Sequence, residues 1–114
     1  MIDWKIDKVP KHEAMDYLKP RLDGFRSHWL RVYIGVTSDP DRRWVKHANR
    51  GWSRMIVVYE AFTPEIAADL ERDLIDYAHR CGFRVPVENV NPGGEGISAE
   101  RRSNYLYILV ADRR

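Results

Sequence analysis

The sequence predicts one α+β domain, a small and mostly antiparallel three-stranded sheet flanked by helices. Three observations predict it. Three short runs rich in β-branched and aromatic residues, 29–36, 55–62 and 105–110, stand apart along the chain. Two helical segments each open on a capping residue followed by proline. The 114 residues suffice for one hydrophobic core and are too few for two. The domain is read over 1–114, with 1–28 as an N-terminal extension and 29–110 as the core.

Taken in order, KHEAMDYL (11–18) reads as a short helix stopped by Pro20, with Asp23-Gly24 as a turn. WLRVYIGV (29–36) reads as a strand. Asp39 then offers a side chain to free backbone N–H groups, and Pro40 suits the first helical position, so a helix runs to about Asn49 and closes at Gly51. MIVVYEAF (55–62) is apolar throughout its first half, the mark of a strand buried on both faces. Thr63-Pro64 repeats the cap-and-proline device and opens a helix over 64–80, ended at Gly82. After it come the Pro- and Gly-rich loop VPVENVNPGGEG, a short polar helix candidate SAERRSN, and the strand YLYILV (105–110).

Composition narrows the function classes. No apolar run approaches the ~20 residues of a membrane span, and the N-terminus lacks the apolar core of a secretory signal, so a cytoplasmic protein is expected. The single Cys81 agrees, since one thiol forms no internal disulfide and no zinc site by itself. A net charge of +2 does not announce a nucleic-acid binder through bulk electrostatics. Fourteen of the 19 basic residues are Arg, which suits bidentate phosphate contact and equally reflects a GC-rich genome.

Chemistry-bearing residues fall into three groups. In the helix 64–80, Leu70, Ile66, Ala67, Leu74, Ile75, Tyr77 and Ala78 share one arc at ~100° per residue, and Glu71 lands inside it. Removing a carboxylate from water costs several kcal/mol unless compensated (about that order), so Glu71 is either paired with an arginine or a metal ligand. In the helix after Asp39, Arg43, His47 and Arg50 form one stripe while Trp44 and Ala48 face inward. That stripe is either a solvated basic face or, beside Tyr33, a phosphate site. The loop ENVNPGGEG (88–96) offers Asn89, Asn91 and close backbone approach at its glycines; by itself it reads equally as a turn.

Together these residues resemble the GIY-YIG nuclease domain family. Tyr33, Ile34 and Gly35 stand as the YIG half of its signature, Arg43 follows ten positions after Tyr33, and His47 one turn later. Glu71 matches the family's metal-binding Glu, and Asn89 (or else Asn91) its Asn before a Gly-rich turn. The match covers about residues 30–96. The family's first motif is missing where it belongs: its Tyr falls near Leu22, in PRLDGF, where no strand is readable. The C-terminal YLYILV is similar to the form of that first motif in small members. A circular permutation is therefore expected, with Tyr107 in the place of the first-motif Tyr and its strand beside that of Tyr33.

The resemblance implies an endonuclease that hydrolyses DNA phosphodiester bonds with one Mg²⁺ (or Mn²⁺) on Glu71. It implies Arg43 on the scissile phosphate, Tyr33 or Tyr107 as the base, His47 as proton relay and Asn89 holding the cleft. Lys46 and Arg50 would contact flanking phosphates, and an accessory protein or homo-oligomer would select the target. The competing expectations are a catalytically silent nucleic-acid-binding module and a structural or interaction domain in which Glu71 merely pairs with Arg43.

Overall fold

A computed structural model describes residues 1–81, 85–89 and 103–112. Its elements run β1 (Ile2–Trp4), α1 (Lys11–His28), β2 (Arg31–Thr37), α2 (Pro40–Ala48), β3 (Arg54–Ala61), α3 (Pro64–Arg80) and β4 (Asn104–Ala111). The fold is α+β, with a four-stranded mixed sheet in the order β1-β3-β4-β2. β4, from the chain's far end, is inserted between β3 and β2 and is antiparallel to both. β1 joins β3 in parallel and makes the fourth strand, where three were expected.

Both cap-and-proline devices act as expected. The Asp39 carboxylate accepts from Arg42 N–H at 3.2 Å and Thr63 Oγ1 from Ile66 N–H at 3.2 Å, each satisfying one of the free donors of a first turn. Gly51 closes the α2 region at φ +88°, where a Cβ is strained.

The helix stop at Pro20 and the turn at Asp23-Gly24 are corrected: α1 runs through both for 18 residues. The reason is packing. Ala14, Leu18, Leu22 and Arg26 recur every four residues and are all buried. Fully burying Leu18 and Leu22 is worth about 1.5–3 kcal/mol each, against about 3 kcal/mol for an interior proline, so burial wins. Contacts beyond Pro20 reinforce it: Arg26 donates to the Val85 and Cys81 carbonyls at 2.7 and 3.1 Å, and Tyr77 Oη donates to Asp23 at 2.6 Å. That last bond also pushes the Tyr77 phenol up from its ordinary value. Residues 1–28, expected as an extension, thus supply a strand and a core helix.

The sheet separates two apolar layers. On one face Val32, Ile34, Val36, Leu106, Ile108 and Val110 meet α1 and α3. On the other, Met55, Val57, Tyr107, Leu109 and Ala111 gather with Trp52, against which Trp44 of α2 and Tyr33 pack. The expected loop glycines, Asn91 and residues 98–102 of the polar helix candidate lie outside the described residues, and Asn104 of that candidate begins β4.

Candidate active site

The register of β2 on β4 decides what meets what. Gly35 pairs with Tyr107, and Tyr33 with Leu109, so both tyrosines rise from the face that α2 covers. A Cβ on Gly35 would overlap the Tyr107 ring at Cζ and Oη. Glycine at the end of the Tyr-Ile-Gly run thus leaves the space that the phenol of the last strand occupies.

From there Tyr107 Oη reaches His47 Nε2 at 2.9 Å. The Tyr33 ring stands 6.1 Å from the His47 ring and 6.1 Å from that of Trp52, centroid to centroid. Asn89 holds Tyr33's neighbour: its Oδ1 accepts from Ile34 N–H at 2.8 Å, and its Nδ2 donates to the Ile34 carbonyl at 2.7 Å. β2 is an edge strand, so its outward backbone groups need partners once buried. Asn89 supplies two of them, Glu88 N–H donates to the Val32 carbonyl, and His79 Nε2 lies 2.6 Å from the Asn89 carbonyl.

Two recesses flank this set. One, of about 270 Å³, is lined by Arg31, Tyr33, His47, Arg50, Trp52 and Glu88. Arg31 is fixed there by a two-pronged bond to Glu88 at 2.6 and 2.9 Å and by stacking over Trp52, 4.2 Å from the ring centre. The Glu88 bond raises the Arg31 pKa further, so it stays a cation. The second recess, of about 180 Å³, is lined by Thr37, Ser38, Asp39, Arg42, Arg43 and Lys46. Among the described residues no carboxylate forms an ion pair with Arg42, Arg43, Lys46 or Arg50. Sequence reading missed Arg31, Trp52 and Glu88. Arg31 was signalled by period two, since it shares a strand face with Tyr33.

Glu71 is 4% exposed, as its place in the apolar arc of α3 implies. Burial pushes its carboxyl up to about 7. Among the described residues no hydrogen bond or ion pair reaches that carboxylate, so the pairing with Arg43 is not made. Its helix packs on the Ile34 face of the sheet, opposite the face of Tyr33 and Tyr107. No group of three or more metal-ligating side chains occurs among the described residues. Neither of the recesses described above is lined by Glu71.

The structure therefore joins Tyr33, His47 and Tyr107, sets Arg43 and Lys46 on the same helix as His47 but at the second recess, places Arg50 in the turn after that helix at the first recess, and ties Asn89 to the central residue of the Tyr-Ile-Gly run. It holds Glu71 on the other side of the sheet. No family model, curated protein or solved structure matches the chain.

Proposed function

We propose that this chain is a GIY-YIG-type endonuclease that hydrolyses DNA phosphodiester bonds, its first motif supplied by the last strand of the chain. One observation carries the reading: β4 pairs residue for residue with the strand of Tyr33 and delivers the Tyr107 phenol to His47 at 2.9 Å. A phenol bonded to an imidazole, one helical turn from Arg43, suits proton transfer beside a bound diester.

In this mechanism Arg43 forks onto the non-bridging oxygens of the scissile phosphate and offsets the charge that builds there during attack. Lys46 and Arg50 hold the neighbouring phosphates of the strand. Tyr107 Oη accepts the proton of the attacking water as its own proton passes to His47 Nε2, which requires the tautomer protonated at Nδ1. Tyr33 packs beside His47 and Trp52 and limits where the water can stand. Asn89 keeps the Tyr33 strand in register against the loop. Glu71 would hold Mg²⁺ or Mn²⁺, and since it lies across the sheet from Tyr107, the ion would supply Lewis-acid neutralisation only to a phosphoryl oxygen of a strand that reaches that face.

A second reading is a catalytically silent nucleic-acid-binding module. The position of the Glu71 helix, on the sheet face away from Tyr33 and Tyr107, favours it. Nicking of supercoiled plasmid in Mg²⁺ or Mn²⁺ separates the two. The nuclease reading expects cleavage by the wild type and losses of about 100-fold or more in Arg43→Ala and Glu71→Ala. Salt-sensitive DNA binding without cleavage selects the silent module. Full activity in both variants removes the nuclease assignment.

A further inference from the structure

We propose that Trp4 and Tyr105 form a stacking ledge for an unpaired nucleobase, so that the nucleic acid this site engages is single-stranded or locally opened next to the reacting phosphate. The proposal rests on the nucleic-acid reading of the neighbouring site.

Trp4 is a large indole that the fold leaves 50% exposed on a three-residue edge strand. Tyr105 meets it edge to face, with ring centroids 5.5 Å apart and planes at 87°. Such a contact occupies at most one indole face and fixes the orientation of the ring, so the other face is presented already ordered. Stacking is the interaction such a surface makes with nucleic acid, because every base has a π-face.

The register places the ledge in line with the candidate site. Trp4 pairs with Val57, Val57 with Tyr107, and Tyr107 with Gly35, one row across all four strands. Ile2 and Ile6, which alternate with Trp4 on its strand face, pack into the same layer as Tyr107. Trp4 is two strand spacings from Tyr107 along this row, roughly 10 Å, the reach of one or two nucleotides. Tyr105 is two residues from Tyr107 on the same face of β4.

Charge selects nucleic acid over an apolar protein partner as the occupant. α2, which carries Arg42, Arg43 and Lys46, packs against β1 and β3, so a strand whose phosphates follow this helix passes beside the strand of Trp4. A strand whose phosphates follow α2 can turn a base onto Trp4 only when that base is not held in a duplex.

The test is binding of the full chain, with metal chelated so that nothing is cut, to a labelled oligothymidylate, its abasic counterpart and a blunt duplex. Trp4→Ala should weaken oligothymidylate binding about 5- to 100-fold. It should leave abasic and duplex binding unchanged, and Trp4→Tyr should recover most of the loss. Equal losses on all three ligands, no loss on any, or no binding by the wild type each overturn the ledge. So does a dimer in sedimentation that Trp4→Ala dissociates, since a second copy is then the occupant. Cleavage in Mg²⁺ is scored separately: cleavage unaffected by Trp4→Ala, with binding equally unaffected, keeps the nuclease and removes the ledge. Trp4-dependent binding without cleavage does the reverse.

Discussion

Tyr107 Oη and His47 Nε2 stand 2.9 Å apart although 60 residues separate them in sequence. The bond spans from the last strand to the helix after Tyr33, and it exists because β4 is inserted beside β2 in a register that sets Tyr107 over Gly35. The topology thus unites two segments that lie some 60 residues apart in the sequence.

Gly35→Ala should destabilise the fold by about 1–3 kcal/mol, the usual cost of overpacking. The added methyl meets the Tyr107 ring and not a strained backbone. Urea unfolding of Gly35→Ala, of Tyr107→Leu and of the double variant checks it. The alanine should cost clearly less once the ring is gone, and strictly additive losses would point to another cause.

Asn89→Ala leaves the Ile34 N–H and carbonyl without their side-chain partner at a buried position. The expected loss is about 1–3 kcal/mol for each group that water cannot reach. Amide exchange at Ile34 should rise sharply in this variant. An Ile34 amide as protected as in the wild type would show that the clamp is not what holds the edge.

Burial raises the Glu71 pKa from 4.5 to about 7. The folded state then binds more protons than the unfolded state between these values, so stability falls as pH rises from about 4.5 to about 7. The drop is on the order of 3 kcal/mol. Glu71→Gln should flatten this part of the pH profile in urea unfolding. If Glu71 holds Mg²⁺, the ion should raise Tm of the wild type more above pH ~7 than near pH ~5, with no such gain in Glu71→Gln. Equal shifts in both proteins place the ion elsewhere.

Five of the seven elements were legible because their signals are local. Asp39-Pro40 and Thr63-Pro64 mark where α2 and α3 begin, and apolar runs mark β2, β3 and β4. What was missed depends on contacts far along the chain. Pro20 and Gly24 read as a stop, yet Leu18, Leu22 and Arg26 carry α1 past them through partners on α3 and at Cys81 and Val85. β1 left a trace in the alternation of Ile2, Trp4 and Ile6 with charged residues, a period-two pattern too short to outweigh other readings.

The candidate site divides the same way. Helical spacing revealed that Arg43 and His47 lie one turn apart, while Arg50, expected on the same stripe, stands in the turn after α2, and the apolar arc revealed that Glu71 is buried. The recess of Arg31, Trp52 and Glu88 was hidden, because it needs residues 85–89 laid along the outer edge of β2. No periodicity within 85–89 encodes that pairing.

The central claim is that Tyr107 completes a hydrolytic site begun at Tyr33, and Tyr107→Phe tests it most directly. Phenylalanine keeps the ring over Gly35 and removes only the hydroxyl that reaches His47. The measurement is the rate of plasmid nicking in Mg²⁺ or Mn²⁺, taken with Tm on the same preparations. The account predicts a rate lower by about 100-fold or more, with stability reduced by no more than about 1.5 kcal/mol. A Tyr107→Phe protein that nicks at the wild-type rate would contradict it.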